Sequence, residues 1–304
     1  MPAYNAQKFI SSAITSILNQ SYSNWELLIA DDASTDNTRN IIDLFSDNRI
    51  YRYTNKKNIG YLRTWNNLIE KAKGDYITFL DADDTCQVER LELMVSYLET
   101  HPQVGICGSN YNRINELGEI IETSNFPLEY DEIKKGFPEN YNFIGSAVMI
   151  RRDVYEEIGG YNVFFDRMGM EDIYWIYLIL EKYSMVNLPQ TLYNYRYNPR
   201  SVSGNLSDNP SKLNSKQIVS FLIEQREKTG SDWLSDGKTD LLIKKLKDLN
   251  SPFEKDKSYY YYFIAKRRFY EGRKKESLHY MKKAIKEDPL KLKYYRDYLY
   301  FCRN

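Results

Sequence analysis

Three carboxylate side chains follow one another closely at the end of a short apolar run. The run is Tyr76 to Leu80, and the acids are Asp81, Asp83 and Asp84. Like charges held this close repel one another, and burial makes each of them more costly. A hard divalent cation removes the repulsion, because two carboxylates one residue apart, together with phosphate oxygens of a ligand, suit Mg²⁺ or Mn²⁺. The spacing alone also fits solvated acids that cap the end of a strand.

Two further pairs of adjacent acids occur at predicted boundaries between elements. Asp31 and Asp32 end the apolar run WELLIADD. Glu171 and Asp172 open a predicted helix of about residues 171–182. Beside a substrate, such carboxylates can contact a ligand or accept a proton as a general base. Structural roles stay open as alternatives, because the first pair can cap the next helix with Ser34 and the helix dipole favours acids at a helix start.

The other residue types that commonly carry catalysis are sparse. His101 and His279 are the only histidines, and both lie in polar helical contexts, so a carboxylate is the expected general base. Cys86, Cys107 and Cys302 are scattered without C-x-x-C spacing, which favours a reduced, cytosolic setting. No run of roughly 20 apolar residues occurs and no signal peptide pattern opens the sequence, so we expect a cytoplasmic protein without a membrane span.

The elements that must position these acids alternate through the first half of the chain. Strand patterns cover residues 25–31, 49–54 and 75–80, and helix patterns lie near residues 9–18, 34–45, 61–73 and 89–100. Such alternation predicts βαβ units and a mainly parallel sheet, in which ligands bind beyond the carboxyl ends of the strands. The acids at 31–32 and 81–83 are therefore expected to face one crevice. Beyond residue 102, strand patterns at 103–114, 119–124, 145–152 and 191–197 indicate more antiparallel pairing.

Charge is divided unevenly along the chain, although 42 basic residues balance 42 acidic ones overall. Residues 238–304 carry 19 Lys or Arg against 9 Asp or Glu, so this part has a net charge of +10 and the remainder −10. The division indicates either two modules with different partners or a solvated, lysine-rich helical face. We predict an α/β domain at residues 1–205 and a helical module at residues 206–304, with a turn-rich linker near residues 198–211.

Six segments together resemble family 2 glycosyltransferases of the GT-A fold. They occur in that family's order over residues 1–204 and read MPAYNA, ILNQSYSNWELLIADDASTDNT, NIGYLRTWNNLIEKAKGDYITFLDADD, GSAVMIRRDVYEEIGGYN, MEDIYW and LYNYRYNPRSVSG. Each segment alone is a weak signal, whereas the ordered set is specific. The resemblance implies an α/β nucleotide-sugar-binding fold, with a mixed, mainly parallel sheet flanked by helices. It also implies a metal-dependent, inverting hexosyltransferase that uses Mn²⁺ or Mg²⁺.

The resemblance assigns roles on the donor side to residues at matching motif positions. Tyr4 is expected to stack on the nucleobase, Asp32 to contact the uracil, and Arg63 to meet phosphate charge. Asp81 is expected near the ribose or a metal-bound water, and Asp83 on the cation that bridges the diphosphate. The donor-binding set implied in this way is Ala3, Tyr4, Asp31, Asp32, Arg63 and Asp81, and the metal set is Asp81 and Asp83.

On the acceptor side, the resemblance matches Asp172 to the catalytic base and gives Glu171 a supporting role. Sugar transfer with inversion is a single displacement, so it requires a base and a neutralised leaving group but no protein nucleophile. The expected reaction moves one sugar from a nucleotide-sugar, with UDP as the expected nucleotide, to a hydroxyl of a glycan, lipid carrier or protein in cell-surface glycoconjugate synthesis. The Q-x-x-R-W signature of processive synthases is absent, which favours single transfer over polymerisation.

Two features depart from the family's pattern. The apolar strand that normally precedes the Pro-x-Tyr-Asn motif is missing, because Met1 already lies inside the motif, so we expect a start codon assigned too late or else an impaired enzyme. Val88 stands where relatives often carry proline, which concerns loop rigidity. The alternative function is therefore a catalytically inactive binding scaffold. A phospho-acceptor receiver domain also clusters acids at strand ends, but it does not account for the antiparallel second half.

Residues 257–289 resemble one tetratricopeptide repeat, with Ala265, Gly272, Ala284 and Pro289 at matching places. The pattern predicts two antiparallel helices joined at Gly272. One repeat must pack on a neighbour, which can be a preceding helix (212–228 or 240–249), the α/β domain or a second subunit. The tyrosine run 259–263, mixed with basic residues, predicts contact with an acidic protein or an anionic inner membrane face, unless these rings form the module's core. No motif accompanies the charge, so nucleic acid is not an expected partner.

Overall fold

A computed structural model describes residues 1–137, 139–198 and 209–303 of the chain. The chain divides into two compact units, Met1–Pro199 and Arg200–Asn304. The linker predicted near residues 198–211 falls largely on residues 199–208, which lie outside the described part. In the ranges given above, no helix combines the length and the apolar character needed to cross a bilayer.

The first unit begins with three parallel strands. The strands are β1 (Pro2–Ala3), β2 (Leu27–Asp31) and β3 (Ile50–Thr54), in the order β1-β2-β3, and the helices that follow them are α1 (Ile10–Leu18), α2 (Thr38–Asp43) and α3 (Tyr61–Ile69). Every residue of β2 is buried. A near-continuous apolar strand of this kind is expected where helices cover a parallel sheet. Strand β1 consists of the first two residues of the Pro-x-Tyr-Asn motif itself.

A second sheet of mixed pairing contains the remaining strands. They are β4 (Tyr76–Thr78), β5 (Thr85–Cys86), β6 (Val104–Ile114), β7 (Ile120–Thr123), β8 (Met149–Arg151) and β9 (Ser184–Arg196). The order is β4-β8-β6-β9-β5, with β7 paired to β6; the β6–β9 pair is parallel and the other pairs are antiparallel. The accompanying helices are α4 (Arg90–Thr100), α5 (Tyr130–Lys135), α6 (Arg152–Ile158) and α7 (Glu171–Leu180), and 3₁₀ turns lie at Gly145–Ala147 and Val163–Phe165.

The predicted mixed sheet flanked by helices is confirmed, and two element ends differ from the prediction for identifiable reasons. Strand β4 ends at Thr78 because the next carbonyl, that of Phe79, accepts a hydrogen bond from the Arg90 guanidinium at 3.0 Å. Helix α3 ends at Ile69, four residues early. The chain then turns so that the backbone N–H groups of residues 73 and 74 donate to the Glu26 carboxylate at 2.5 and 3.1 Å. Both differences arise from hydrogen-bond partners outside the element itself, 11 residues away for β4 and 47 or more residues away for α3.

The second unit, in its described residues, consists of helices. They are α8 (Ser211–Thr229), α9 (Thr239–Lys255), α10 (Lys257–Tyr270), α11 (Lys274–Glu287) and α12 (Leu292–Arg303). The predicted pair at 257–289 corresponds to α10 and α11, joined at Gly272, whose φ of +73° is readily adopted by glycine. The tyrosine run is divided between two roles: Tyr260 and Tyr262 are buried in the module, whereas Tyr259 is 38% exposed.

Candidate active site

A tight turn after β4 carries the three clustered acids. The backbone N–H of Asp84 donates to the carbonyl oxygen of Asp81 at 3.1 Å, which closes the turn. The Asp84 side chain is buried, and it accepts from the Tyr193 hydroxyl at 2.7 Å and from the backbone N–H of Arg196 at 2.6 Å. Asp84 therefore ties the turn to β9. Asp81 and Asp83 are left as the acids of this turn that can meet a ligand.

The carboxyl groups of Asp81 and Asp83 have raised pKa values, although the N-terminal ammonium acts on Asp81 and Arg196 acts on Asp83 in the opposite direction. Burial, followed by the charge of Asp83, raises the pKa of Asp81 to about 7, against a hydrogen bond from Tyr61. Burial also raises the pKa of Asp83, although the Asn198 amide donates to its Oδ2 at 3.1 Å. Asp81 Oδ1 is buried and has no hydrogen-bond partner among the residues that the structure describes. An orphaned carboxylate oxygen beside a second acid is a group that a bound cation would satisfy.

The first turn of α7 carries the second pair of buried acids. Burial, followed by the charge of Asp172, raises the pKa of Glu171 to about 8. Burial raises the pKa of Asp172 as well, while the backbone N–H of Ile173 donates to its Oδ1 at 2.9 Å. Gly145 packs directly on this carboxylate, because a Cβ built at position 145 would lie 2.8 Å from Asp172 Cβ. Buried carboxyl groups with raised pKa values are common at sites of proton transfer, so this pair is a candidate for a catalytic acid or base.

The acid turn and the start of α7 are close enough for their charges to act on one another. The charge of Asp172 contributes to the raised pKa of Asp81, and the charge of Asp81 contributes to that of Glu171. Two tyrosines share this environment: burial, followed by nearby carboxylates, raises the pKa of Tyr61 and of Tyr161 well above the usual value. The structure therefore brings the predicted metal acids and the predicted base into one cluster.

Asp32 holds the loop that leads into α3. The Asn55 amide and the backbone N–H of Ile59 donate to its Oδ1 at 2.8 and 3.0 Å, and the N–H of Gly60 donates to its Oδ2 at 2.9 Å. The backbone N–H of Asp32 donates to the carbonyl oxygen of Ala3 at 2.8 Å. Asp32 is thus connected to the acid cluster through this loop. A carboxylate has about four lone-pair sites, so three donors leave Asp32 one further acceptor position, on a side chain that is only 2% exposed.

The loop after β1 presents Tyr4, whose side chain is 51% exposed. Its neighbour Asn5 fixes the backbone, because its N–H donates to Ser34 Oγ at 2.9 Å and its Oδ1 accepts from the N–H of Thr35 at 2.8 Å. Asp31 is buried and accepts from the N–H of Ser34 at 3.3 Å, which supports the structural alternative for this acid. The loop is therefore fixed while the Tyr4 ring stays accessible.

Arg63 lies at the edge of the acid cluster and is paired with another residue. Its Nε donates to Asp166 Oδ2 at 2.7 Å, and the arginine side chain is 49% exposed. The charge of Asp166 contributes to the raised pKa of Glu171, so the ion pair borders the start of α7. In this structure the guanidinium is thus engaged by a carboxylate, and its contact with phosphate stays a prediction.

A buried arginine that was not predicted lies beneath the cluster. Arg90 is fully buried, and its guanidinium donates to the Phe79 carbonyl at 3.0 Å, to Thr78 Oγ1 at 2.8 Å and to the Ser146 carbonyl at 3.1 Å. Its Cζ lies 5.1 Å from the centroid of the Tyr193 ring. Arg90 therefore joins the end of β4, just before the acid turn, to the 3₁₀ turn that packs on the α7 acids.

The sequence contained a signal for Arg90 but only a weak one for the tyrosines. Arg90 precedes Met94 and Leu98 by four and eight residues, so it lies on the buried face of α4 rather than on a solvated face. Tyr61 and Tyr161 each follow a glycine at the start or end of an element. A glycine there indicates that another segment packs closely on the backbone, but it does not indicate that the tyrosine hydroxyls lie near the acid cluster. Their placement depends on contacts between distant segments.

The donor atoms of the acid turn can be compared with the needs of a divalent cation. Across residues 1–137, 139–198 and 209–303, no group of three or more His, Cys, Asp or Glu side chains is arranged to hold a metal ion. The turn supplies two carboxylates, one of which has the orphaned Oδ1 of Asp81. This set fits Mg²⁺ or Mn²⁺ that takes its other ligands from a bound diphosphate and water.

Known protein sequences resemble this chain over much of its length. Residues 1–159 match the model of Glycosyl transferase family 2. The putative glycosyltransferase EpsE of Bacillus subtilis is 33% identical over 204 residues, which cover 64% of this chain and 71% of the relative. The Escherichia coli enzyme UDP-Glc:alpha-D-GlcNAc-diphosphoundecaprenol beta-1,3-glucosyltransferase WfgD is 31% identical over 210 residues, which cover 67% of this chain and 78% of the relative.

Solved structures share the fold of this chain at low sequence identity. S. aureus TarS 1-349 in complex with UDP-GlcNAc aligns with a TM-score of 0.59 at 16% identity, covering 94% of this chain and 79% of that chain. The mannosyltransferase PcManGT from Pyrobaculum calidifontis, in complex with GDP-Man and Mn²⁺, aligns with a TM-score of 0.53 at 18% identity, covering 74% of this chain and 62% of that chain. At these identities the likeness shows the fold alone, and it confirms the GT-A architecture predicted from the sequence.

Proposed function

Because the chain belongs to glycosyl transferase family 2, we propose that it moves one sugar from a UDP-sugar to a hydroxyl group, with inversion at the anomeric carbon. The observation that carries the proposal is the buried, unpaired Oδ1 of Asp81, which lies in the charge field of both Asp83 and Asp172. A cation site and a base within one acid cluster are what such a displacement needs.

Asp172 is the proposed general base. Its carboxylate takes the proton of the acceptor hydroxyl while that oxygen bonds to the anomeric carbon and the bond from this carbon to the diphosphate oxygen breaks. Burial raises the pKa of Asp172, so its carboxylate binds a proton more strongly than an exposed aspartate would. Burial and the charge of Asp172 raise the pKa of Glu171 to about 8, so Glu171 also binds a proton more strongly than an exposed glutamate would, and it is proposed to support Asp172.

Asp81 and Asp83 are the proposed ligands of a divalent cation, Mg²⁺ or Mn²⁺. When bound, the ion neutralises the charge that develops on the departing diphosphate. The protein prepares this position by fixing the turn: Asp84 is held by Tyr193 and Arg196, so the backbone that carries the two ligands is anchored to β9. The Mn²⁺ in the structure of the Pyrobaculum mannosyltransferase supports the assignment.

The nucleotide is proposed to bind along the loops that follow β1 and β2. The exposed ring of Tyr4 offers a stacking surface for the base. Asp32 keeps one acceptor position after its three hydrogen bonds, which a base N–H can use, and Ala3 and Asp31 hold the surrounding backbone. Arg63 gives its Nε to Asp166, and its terminal guanidinium N–H groups are the donors proposed for phosphate.

For the acceptor, we propose a glycan carried on a polyprenol diphosphate as the first class to test. The support is the E. coli relative WfgD, a glucosyltransferase named for a sugar linked to diphosphoundecaprenol. The structure of S. aureus TarS in complex with UDP-GlcNAc supports a UDP-sugar as donor. Free glycans and proteins with accessible hydroxyls are the comparison acceptors, in keeping with a role in cell-surface glycoconjugate synthesis.

The test is release of nucleotide from a panel of UDP-sugars, with and without a chelator, in the presence of each acceptor class. Asp83→Asn and Asp172→Asn are each expected to lower turnover by about 100-fold or more. Glu99→Gln removes an exposed acid from α4 and serves as the matched control. Calorimetry with UDP and Mn²⁺ separates the two roles, because Asp83→Asn should weaken binding whereas Asp172→Asn should retain it.

The same measurements distinguish an enzyme from an inactive scaffold. A scaffold would bind partner molecules without binding UDP–Mn²⁺, and none of the UDP-sugars would release nucleotide in a metal-dependent manner. If UDP–Mn²⁺ binds with the expected dependence on Asp83 but no donor turns over, the donor site stands and the proposed transfer to these acceptors is rejected. If neither binding nor turnover occurs, the transferase proposal is rejected.

A further inference from the structure

Helix α12 carries aromatic side chains on the face that packs into its own module. Tyr294 is 2% exposed and Phe301 is 3% exposed. The Tyr294 ring stacks on Tyr262 with centroids 4.8 Å apart, and the Phe301 ring stacks on Phe269 at 4.2 Å. These contacts join α12 to α10 and fix which way the helix faces.

The opposite face of α12 is also apolar, but it is open. Leu292 is 81% exposed, Tyr295 is 40% exposed and Leu299 is 57% exposed. Their spacing of three and four residues places them in one row along the helix, which we call the outer stripe. Single exposed apolar residues are normal on a protein surface. A row of exposed apolar side chains along one helix indicates a surface that binds another molecule.

The exposed charges beside the outer stripe are basic. Lys293, Arg296 and Arg303 are exposed residues of α12. Asp297, the acid of this helix, is turned toward the module: its Oδ2 accepts from the Tyr262 hydroxyl at 2.6 Å, and its Oδ1 lies 2.9 Å from a guanidinium nitrogen of Arg296. The net charge of +10 over residues 238–304 gives the surrounding module the same sign.

We infer that α12 lies on an anionic lipid surface, with the outer stripe in the boundary between headgroups and acyl chains. A helix with leucine and tyrosine on one side and flanking arginine and lysine has the composition of an interfacial helix. A second copy of the chain would bring basic faces together, which like charges oppose. An anionic bilayer can bury the outer stripe and attract the basic side chains beside it at the same time. The inference goes beyond the proposed reaction, since it concerns where the chain binds and not what it catalyses.

The test is co-sedimentation of the full chain with vesicles of phosphatidylcholine alone or mixed with phosphatidylglycerol. Donor, acceptor and metal are left out, so failure of the transferase proposal cannot produce or hide the result. We expect sedimentation with the anionic vesicles only, and we expect it to weaken as salt is raised, because screening acts on the basic side chains.

Two double variants separate the apolar and the charged contributions. Leu292→Gln with Leu299→Gln should weaken partitioning by at least about tenfold. Arg296→Gln with Arg303→Gln should weaken it by about fivefold for each cation removed. All four residues are exposed, and the ion pair that Arg296 makes with Asp297 is at the surface, so the variants should keep the circular dichroism and, to within about 1 kcal/mol, the stability of the parent.

Matched controls come from exposed positions in the first unit. Leu44→Gln removes a leucine that is 80% exposed, and Arg39→Gln with Lys73→Gln removes two exposed cations. These controls should sediment like the parent. Equal sedimentation of every variant, or none of the parent on anionic vesicles, overturns the inference. A concentration-dependent dimer in equilibrium sedimentation that the leucine variant abolishes also overturns it, in favour of a second copy.

Discussion

Replacing Gly145 by alanine tests whether the Asp172 carboxylate takes part in the reaction. Gly145 does not have a positive φ, so its small size and not its backbone freedom is what the site uses. An added Cβ would lie 2.8 Å from Asp172 Cβ and 3.0 Å from its Cγ. The nearest atom to the added Cβ is Asp172 Oδ2, so the carboxylate itself must move. Because carbon atoms approach to about 3.5 Å, the two segments must separate by at least roughly 0.5–0.7 Å.

This displacement can be converted into an expected loss of rate. A misplacement of about 1 Å at a reacting group lowers the rate by about 100-fold, so Gly145→Ala should lower kcat by roughly 10- to 100-fold. The donor KM should be unchanged, because Gly145 packs on Asp172 and not on the turn proposed to hold the cation. Overpacking should also lower the free energy of unfolding by about 1–3 kcal/mol.

The assay is initial-rate nucleotide release with saturating acceptor and varied donor, with urea unfolding measured in parallel. Gly74→Ala is the matched control, since its Cβ would meet only the Tyr76 carbonyl oxygen at 3.2 Å. In an Asp172→Asn background, Gly145→Ala should cause no further loss of rate, because both changes act on one group. A Gly145→Ala protein with the parent's kcat and a lowered unfolding free energy would refute the reasoning and leave Asp172 as a helix-capping acid.

Three further predictions concern single groups described above. Arg90→Met leaves two carbonyls and a hydroxyl without their donor and should lower the free energy of unfolding by about 3–5 kcal/mol in urea titration. Arg90→Lys should be intermediate between this variant and the parent. Equal stability of the Met and Lys variants would contradict the role given to the guanidinium. The value of kcat/KM should rise with pH, with a midpoint above the usual aspartate pKa. The reason is that burial raises the pKa of Asp172 and only its ionised form accepts a proton. A value of kcat/KM that does not change at low pH would contradict this. Asp256→Ala should destabilise the second unit by about 1 kcal/mol in thermal unfolding at pH 7, because Asp256 caps α10 through the N–H of Tyr259. Lys291 and other partners lower the Asp256 pKa to about 2, so the stabilisation is present above the ordinary aspartate pKa and is lost as pH falls toward 2; a difference between the proteins that persists at that pH would count against the cap.

The sequence was most informative where the signal is local. The acid turn, the helix that begins at Glu171 and the turn at Gly272 all lie within a few residues of their predicted places. Apolar runs, acids and glycines set these features through the chain immediately around them. The fold class followed from the order of such features and from the resemblance to one family, and the comparisons confirm it.

Partners that are distant along the chain could not be predicted. Asp84 shares its charge and location with the proposed ligands, yet its partners Tyr193 and Arg196 come from positions more than 100 residues later. Arg63 likewise pairs with Asp166, 103 residues away. Residue spacing and periodicity do not indicate which distant side chains will pair, because these contacts form only when the sheets assemble.

Arg90 has a consequence for how substrates enter and leave. One guanidinium holds the carbonyl oxygens of both Phe79 and Ser146, and it is inaccessible to water. Pulling those two backbone segments apart would strip a desolvated cation of its acceptors, which thermal fluctuation seldom achieves. We therefore expect these two segments to stay together, and any opening of the proposed site to occur in other loops.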